Sequence, residues 1–285
     1  MKFTIEYTDL DITPSGGLPL VGCLLDKCSL KKRMNLSRVP GTPNPAISHS
    51  DVVYSYIGLL CQGKNDFDHI ENERDDIVFS YAMGIDQVPS SPTLRQRLDQ
   101  AAGKAGWEEV LLLESARLIK TVHAPLTPIV LGNGKNQRKY LPLDVDVSPF
   151  DNSKTKKEGV SRTYKGFDGY APNLAYLGRE GYWINLDFRT GKTHCQNGTA
   201  AFLDDTLRYA QMISSTPVLV RLDSGNDSAD NIKVFDKKQV DFIIKRNPRK
   251  ESLEQWLDIA KETGNKTEPR PGKTVYTGSI SRQPA

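Results

Sequence analysis

The stretch YLPLDVDVSPF, residues 140–150, decides the fold. Leu141, Leu143, Val145 and Val147 alternate with Pro142, Asp144, Asp146 and Ser148. Successive side chains on a β-strand point to opposite faces, so this period of two predicts a strand. Two carboxylates on so apolar a strand need a reason. A buried, unpaired carboxylate costs several kcal/mol, so it must be solvated, hydrogen-bonded or bound to a cation. Two answers stay open: an edge strand with a wet face, or a metal site.

Working outward, YAPNLAYL (170–177) and GYWINLDFR (181–189) read as two further strands joined by the turn GREG. A helix follows through GTAAFLDDTLRYAQMI. Next come the apolar strand TPVLVRLDSG, a short helix in SADNIKVFDKK and the strand VDFIIK. The order is βββαβαβ. Three strands in an antiparallel meander, followed by crossovers that return parallel to the first, specify a mixed sheet with helices on its faces. A right-handed crossover brings the strand after the first helix beside the first strand. Asp146 and Asp223, 77 residues apart in sequence, are then expected side by side at the carboxyl ends of neighbouring parallel strands. Oxygen ligands of this kind suit Mg²⁺, and two such ions serve phosphodiester displacement. Taken singly, each aspartate is equally a turn residue; it is the matched placement that favours chemistry.

Before residue 139 the texture is helical. A helical stretch spans Leu18 to Lys32. Ser48 or Ser50 with Asp51 caps a helix through VVYSYIGLLCQG, and NDFDHIENERDDIVFSYAMG holds two short helices. In PSSPTLRQRLDQAAGKAG, Ser90 or Ser91 caps a helix whose buried face is Leu94, Leu98 and Ala101 or Ala102, leaving Arg95, Gln96, Arg97 and Gln100 exposed. That chemistry fits a recognition helix on DNA, although the spacing alone favours an ordinary amphipathic helix. WEEVLLLESARLIKTVH completes the helical region, and a loop, APLTPIVLGNGKNQRK, leads to the strands.

Composition narrows the function classes. With 38% hydrophobic and 26% charged residues over 285 positions, the chain reads as globular with about two domains, lacking any membrane-length apolar run or secretory leader. The expected compartment is the cytoplasm. Cys23, Cys28, Cys61 and Cys195 form no C-x-x-C pair, and the four histidines are scattered, which argues against zinc and for a hard ion held by oxygen. The net charge is +3, yet Lys237 to Ala285 holds eleven Lys or Arg against six Asp or Glu, densest in KRNPRK. Clustered basic charge suggests an anionic partner such as nucleic acid.

The ordered set SGGLPL, SHSDVVYSYIGLLCQGKNDFDHIENERDD, PSSPTLRQRL, LDVDVS, RTYKGFDGYAPNLAYL, VLVRLDSG and VDFIIKRNPRK with WLDIAKETGNKTEPRPGK resembles the DDE transposases of bacterial insertion sequences. The resemblance implies an α/β fold: a ribonuclease-H-like mixed β-sheet core preceded by an all-helical N-terminal domain. Its divisions fall at 1–138 (helical, DNA-binding), 139–250 (core) and 251–285 (the incomplete start of an inserted β-rich subdomain). It implies cleavage and joining of double-stranded DNA at insertion-sequence ends and target, with Mg²⁺ or Mn²⁺, by a homodimer on DNA in the bacterial cytoplasm and nucleoid.

Carried over, the first catalytic residue and metal ligand is Asp146. Its context, Asp146-Val147-Ser148, replaces the family's small residue with Val, which keeps Asp144 open as the first ligand. The second is Asp223. Arg95 and Arg97, with Lys245, Arg246, Arg249 and Lys250, are the expected DNA contacts, and His194 is expected to be structural at the end of the third strand. The family's catalytic Glu comes later than Glu251, Glu254 or Glu262, so the third acid is expected beyond Ala285. This makes a truncated, inactive transposase or a non-catalytic DNA-binding remnant the expectation. A ribonuclease-H-like nuclease using Asp144, Asp146 and Asp223 is a further alternative.

Overall fold

The computed structural model describes residue 13 and residues 15–280; residues 1–12, 14 and 281–285 lie outside them. Two compact units form, one built on residues up to Pro125 together with Tyr209–Ser215, the other on Leu126–Arg208 and the chain from Thr216 onward.

The first unit is helical: α1 (Leu18–Leu25), α2 (Leu30–Leu36), α3 (His49–Cys61), α4 (Ile77–Met83), α5 (Ser91–Ala101) and α6 (Trp107–Thr121), with a 3-10 turn at Phe67–Glu73. The single helix expected over Leu18–Lys32 is two. The Asp26 N–H turns back to the Gly22 carbonyl and the Cys28 N–H to the Leu25 carbonyl, which closes the first helix before the second begins. Caps at Ser48 and Ser90 fall where the sequence puts them, and Asp76 adds one that it did not show. The Ser48 side chain accepts from the Asp51 N–H, Ser90 from Thr93, and Asp76 from Val78 and Phe79, each satisfying amides that a helix start leaves without partners. Val52, Leu59, Phe79 and Leu94 are fully buried at its centre. Gly22 permits the close crossing of α1 on α4, since a Cβ there would lie 1.8 Å from the Ala82 carbonyl oxygen. The buried Glu114 is held by Arg33 (2.7 Å), Arg117 (2.6 Å) and the Ser29 N–H (2.7 Å), the pairing that a carboxylate in a core demands.

The second unit is built on a six-stranded mixed sheet. Its strands are β1 (Ile129–Leu131), β2 (Arg138–Val147), β6 (Asn173–Leu177), β7 (Tyr182–Asp187), β8 (Val218–Leu222) and β9 (Asp241–Ile244). Their order is β7-β6-β2-β8-β9, with β1 pairing β2. The strand β6 runs antiparallel to β2 and β7, whereas β8 runs parallel to both β2 and β9. The meander and the two crossovers therefore form as the element order predicts, through α7 (Thr199–Ile213) and α8 (Ala229–Lys238). Central β2 is buried along Tyr140–Leu143, so its aspartates do not sit on a wet edge strand.

Two features escaped sequence reading, a strand before β2 and a small sheet after it. The strand β1 lies in the segment expected to be a loop. A small three-stranded sheet, order β3-β5-β4, is made from β3 (Phe150–Asp151), β4 (Ser161–Arg162) and β5 (Asp168–Tyr170). After α9 (Leu253–Thr263), an antiparallel hairpin joins β10 (Asn265–Arg270) to β11 (Lys273–Thr277).

Candidate active site

The parallel register of β2 on β8 sets Leu141 against Val218 and Val145 against Leu222. One step further, at the carboxyl ends of both strands, the same offset brings Asp146 level with Asp223. Both side chains are exposed. Asp146 turns one oxygen, Oδ1, to the Val147 N–H (2.9 Å). Asp223 caps the 3-10 turn Ser224–Asn226, its Oδ1 accepting from the Gly225 N–H (3.0 Å) and Asn226 Nδ2 (2.9 Å). The Oδ2 atoms of both carboxylates make no hydrogen bond among the described residues.

The electrostatics follow from this arrangement. Asp146 holds its proton to higher pH than an ordinary aspartate, first because the protein beneath it replaces water and then because Asp223 adds a second negative charge; the Val147 N–H and Lys165 oppose the shift. Burial, then Asp223, likewise raises the Cys195 thiol, which donates to the Gly225 carbonyl at 3.0 Å. Paired carboxylates with open oxygens are a hard, anionic donor set whose mutual repulsion a divalent cation relieves, so the residues fit Mg²⁺ or Mn²⁺.

Asp144 shares the strand face with Asp146 but has a different partner. It lies in register with Arg221, whose Nε and Nη2 donate to its two oxygens at 2.6 Å each. This fork uses both oxygens of Asp144 and leaves Asp146 as the open carboxylate of the strand. Behind Asp146, the buried Asn173 is oriented so that its amide nitrogen donates to the Asp146 carbonyl (3.2 Å) and its oxygen accepts from Arg189 (3.3 Å). Arg189, itself buried, pairs with Asp187 at 2.6 Å and donates to the Cys195 carbonyl at 3.3 Å, which ties the loop before α7 to the sheet end.

The basic residues expected to meet DNA fall into three groups. Arg97 is buried and donates to the Ile47 carbonyl (3.2 Å), with its guanidinium 2.9 Å from His49 Nδ1. Its expected exposure is corrected by helix geometry: three residues after Leu94, it shares the inward face. Arg95 reaches Asp66 (3.1 Å) and Asp68 (3.0 Å) and lies 4.9 Å over the Phe67 ring, so its charge is spent within the helical unit. After β9, Lys245, Arg246, Arg249 and Lys250 are all exposed. Arg246 pairs with Asp227 (3.1 Å) and Glu251 (2.9 Å), and Arg249 Nη2 donates to the Asp227 carbonyl (3.0 Å). These bonds fasten the basic loop to the segment just after Asp223. Lys245 and Lys250 take no ion pair among the described residues. His194 lies beyond β7 in the loop before α7, exposed, with Nδ1 accepting from the Gln196 N–H at 3.2 Å.

A mixed sheet in this order, with two carboxylates at the ends of its adjacent central parallel strands, is a ribonuclease-H-like core. The chain belongs to the family described as transposase DDE domain group 1, whose model matches residues 2–282. It is similar to a piggyBac transposase in a cryo-EM synaptic complex with hairpin DNA, at 11% identity and a TM-score of 0.40, over 92% of this chain and 59% of that one. It is also similar to Mos1 transposase in a paired-end complex with the left transposon end, at 11% identity and a TM-score of 0.27, over 78% of this chain and 73% of that one. No curated protein sequence matches. The chain thus spans 59% of the length of the piggyBac chain. Among the described residues no helix is long and apolar enough to cross a membrane.

Proposed function

We propose that this chain acts on double-stranded DNA as a transposase, cleaving and joining strands at transposon ends, with Asp146 and Asp223 holding Mg²⁺ or Mn²⁺. The observation that carries the reading is the register that sets these two aspartates level, each with an open oxygen. Asp146 and Asp223 would hold the divalent ion, and the chemistry it would supply there is activation of the attacking oxygen and stabilisation of the leaving one in phosphodiester displacement. The chain's own part is to fix the carboxylates by strand pairing, the Gly225 N–H and the Val147 N–H, so that no reorganisation is needed when the backbone arrives. Lys245, Arg246, Arg249 and Lys250 supply the cationic surface beside the site, acting on DNA phosphates, which position a duplex without reading its sequence. A DNA partner and a homodimer that holds two ends belong to the same proposal, which rests on the transposase family that the chain matches.

Two-metal chemistry uses more oxygen ligands than one carboxylate pair provides, and no third His, Cys, Asp or Glu joins the pair among the described residues. The test is Mn²⁺ titration followed by electron paramagnetic resonance. The parent chain is expected to bind Mn²⁺ and to gain thermal stability from it, as any ligand of the folded state confers; Asp146→Asn and Asp223→Asn each weaken binding at least tenfold. Unchanged binding in both variants would overturn the metal site.

A further inference from the structure

The β3-β5-β4 sheet, unforeseen in the sequence, carries a turn between β4 and β5 that is tightly closed. The Thr163 N–H and Oγ1 both donate to the Phe167 carbonyl at 2.8 Å. The Gly166 N–H donates to the Thr163 carbonyl at 3.0 Å, and Gly166 takes φ +88°, a conformation that a side chain would oppose. The tip so fixed carries Tyr164, 70% exposed, and Lys165, also exposed. The Tyr164 hydroxyl donates to the Val147 carbonyl at 3.4 Å, on the residue that follows Asp146. The Lys165 ammonium sits 5.9 Å from the Tyr164 ring centroid and takes no ion pair among the described residues.

The charges register the same proximity. Lys165 eases the ionisation of Asp146, while burial first, and then the charges of Asp146 and Asp223, raise the Tyr164 phenol above its ordinary value. A carboxylate pair open to solvent repels an approaching phosphodiester, and a cation at its rim offsets that repulsion for the incoming strand.

We propose that Tyr164 and Lys165 are positioning residues for the nucleic-acid backbone: the Tyr164 hydroxyl anchors the tip to the Val147 carbonyl, and the Lys165 ammonium held there takes a phosphate next to the one presented to Asp146 and Asp223. This rests on the reading of that pair as a metal site. A merely structural role for Lys165, neutralising Asp146, predicts something different, because loss of the cation then alters Mn²⁺ affinity and leaves DNA affinity alone.

The experiment measures binding of a fluorescent random-sequence duplex of about 30 base pairs to the full chain without divalent ions, from about 50 to 200 mM KCl, where each phosphate contact contributes about 0.9 to the logarithmic salt slope. Lys165→Gln is expected to weaken binding threefold to tenfold at the lowest salt and to lower the slope by about one. Tyr164→Phe weakens binding about twofold without changing the slope, because a hydroxyl releases no counterion. Lys233→Gln, at an ammonium already paired with Asp230 on α8 at 3.1 Å, changes neither. Unchanged affinity and slope in Lys165→Gln, or no duplex binding by the parent chain, overturns the proposal. The Mn²⁺ titration of Asp146→Asn reads the underlying metal site separately, so a positioning failure and a metal-site failure give different patterns.

Discussion

At the scale of single residues, the site turns on which oxygens are already engaged. Asp144 and Asp146 are indistinguishable in the sequence, since both lie on one face of one strand. What separates them is Arg221, which pairs with Asp144 through a strand that arrives 77 positions later. No local pattern reveals such a partner. Arg97 was legible and misread: its position three residues after Leu94 places it on the buried face, and only its charge argued otherwise. The raised ionisation of Asp146 has a measurable sign. The folded state holds the Asp146 proton to higher pH than the unfolded chain, so this group favours folding in acid and loses that contribution as pH rises above the usual value of 3.8. Asp146→Asn is therefore expected to melt higher than the parent at neutral pH in metal chelator, with the gap closing as pH falls below 3.8. Saturating Mn²⁺ reverses the order, because only the parent binds it well. Melting curves by circular dichroism across that range check both statements, and a parent that melts higher at neutral pH without metal would contradict them.

At the scale of elements, the long periodic segments were legible and the short ones were not. Strands β2 and β8 and helices α3, α5, α6 and α7 have enough residues for their period to show, and their caps and turns mark the ends. The β3-β5-β4 sheet has strands of two and three residues, too short to display alternation, and it is held by close backbone approach instead. Gly169 is where that approach is tightest: a Cβ there would lie 1.8 Å from the Phe150 carbonyl oxygen, across a pair in which Asp151 faces Gly169. Gly169→Ala forces the strands apart at a cost of about 1–3 kcal/mol, the usual range for overpacking. The turn bearing Tyr164 and Lys165 then loses its footing. The expected result is near-parental Mn²⁺ binding with duplex binding reduced at least as far as in Lys165→Gln; parental duplex binding would show that this sheet does not serve the site.

At the scale of the whole molecule, net charge misleads and distribution informs. A chain of net charge +3 has little general attraction for a polyanion, so the duplex binding proposed for it rests on local cationic surface. Within the basic run after β9, Arg246 and Arg249 are bound to Asp227, which leaves Lys245 and Lys250 as the cations that take no ion pair among the described residues. Replacing both with Gln is expected to lower the salt slope of duplex binding by about two while melting temperature stays near parental; an unchanged slope would move the DNA surface elsewhere. The architecture was legible in outline because element order and crossover handedness leave few topologies. The exact level of one strand on its neighbour is a different matter, and here the Asp144–Arg221 fork matters beyond its modest energy as a half-exposed pair. A slip of one residue between β2 and β8 would set Asp144 against an aliphatic side chain and carry Asp223 away from Asp146. The fork thus works as a keyway: it admits one alignment of the two strands, and the carboxylate pair at their ends inherits its spacing from a lock two residues upstream.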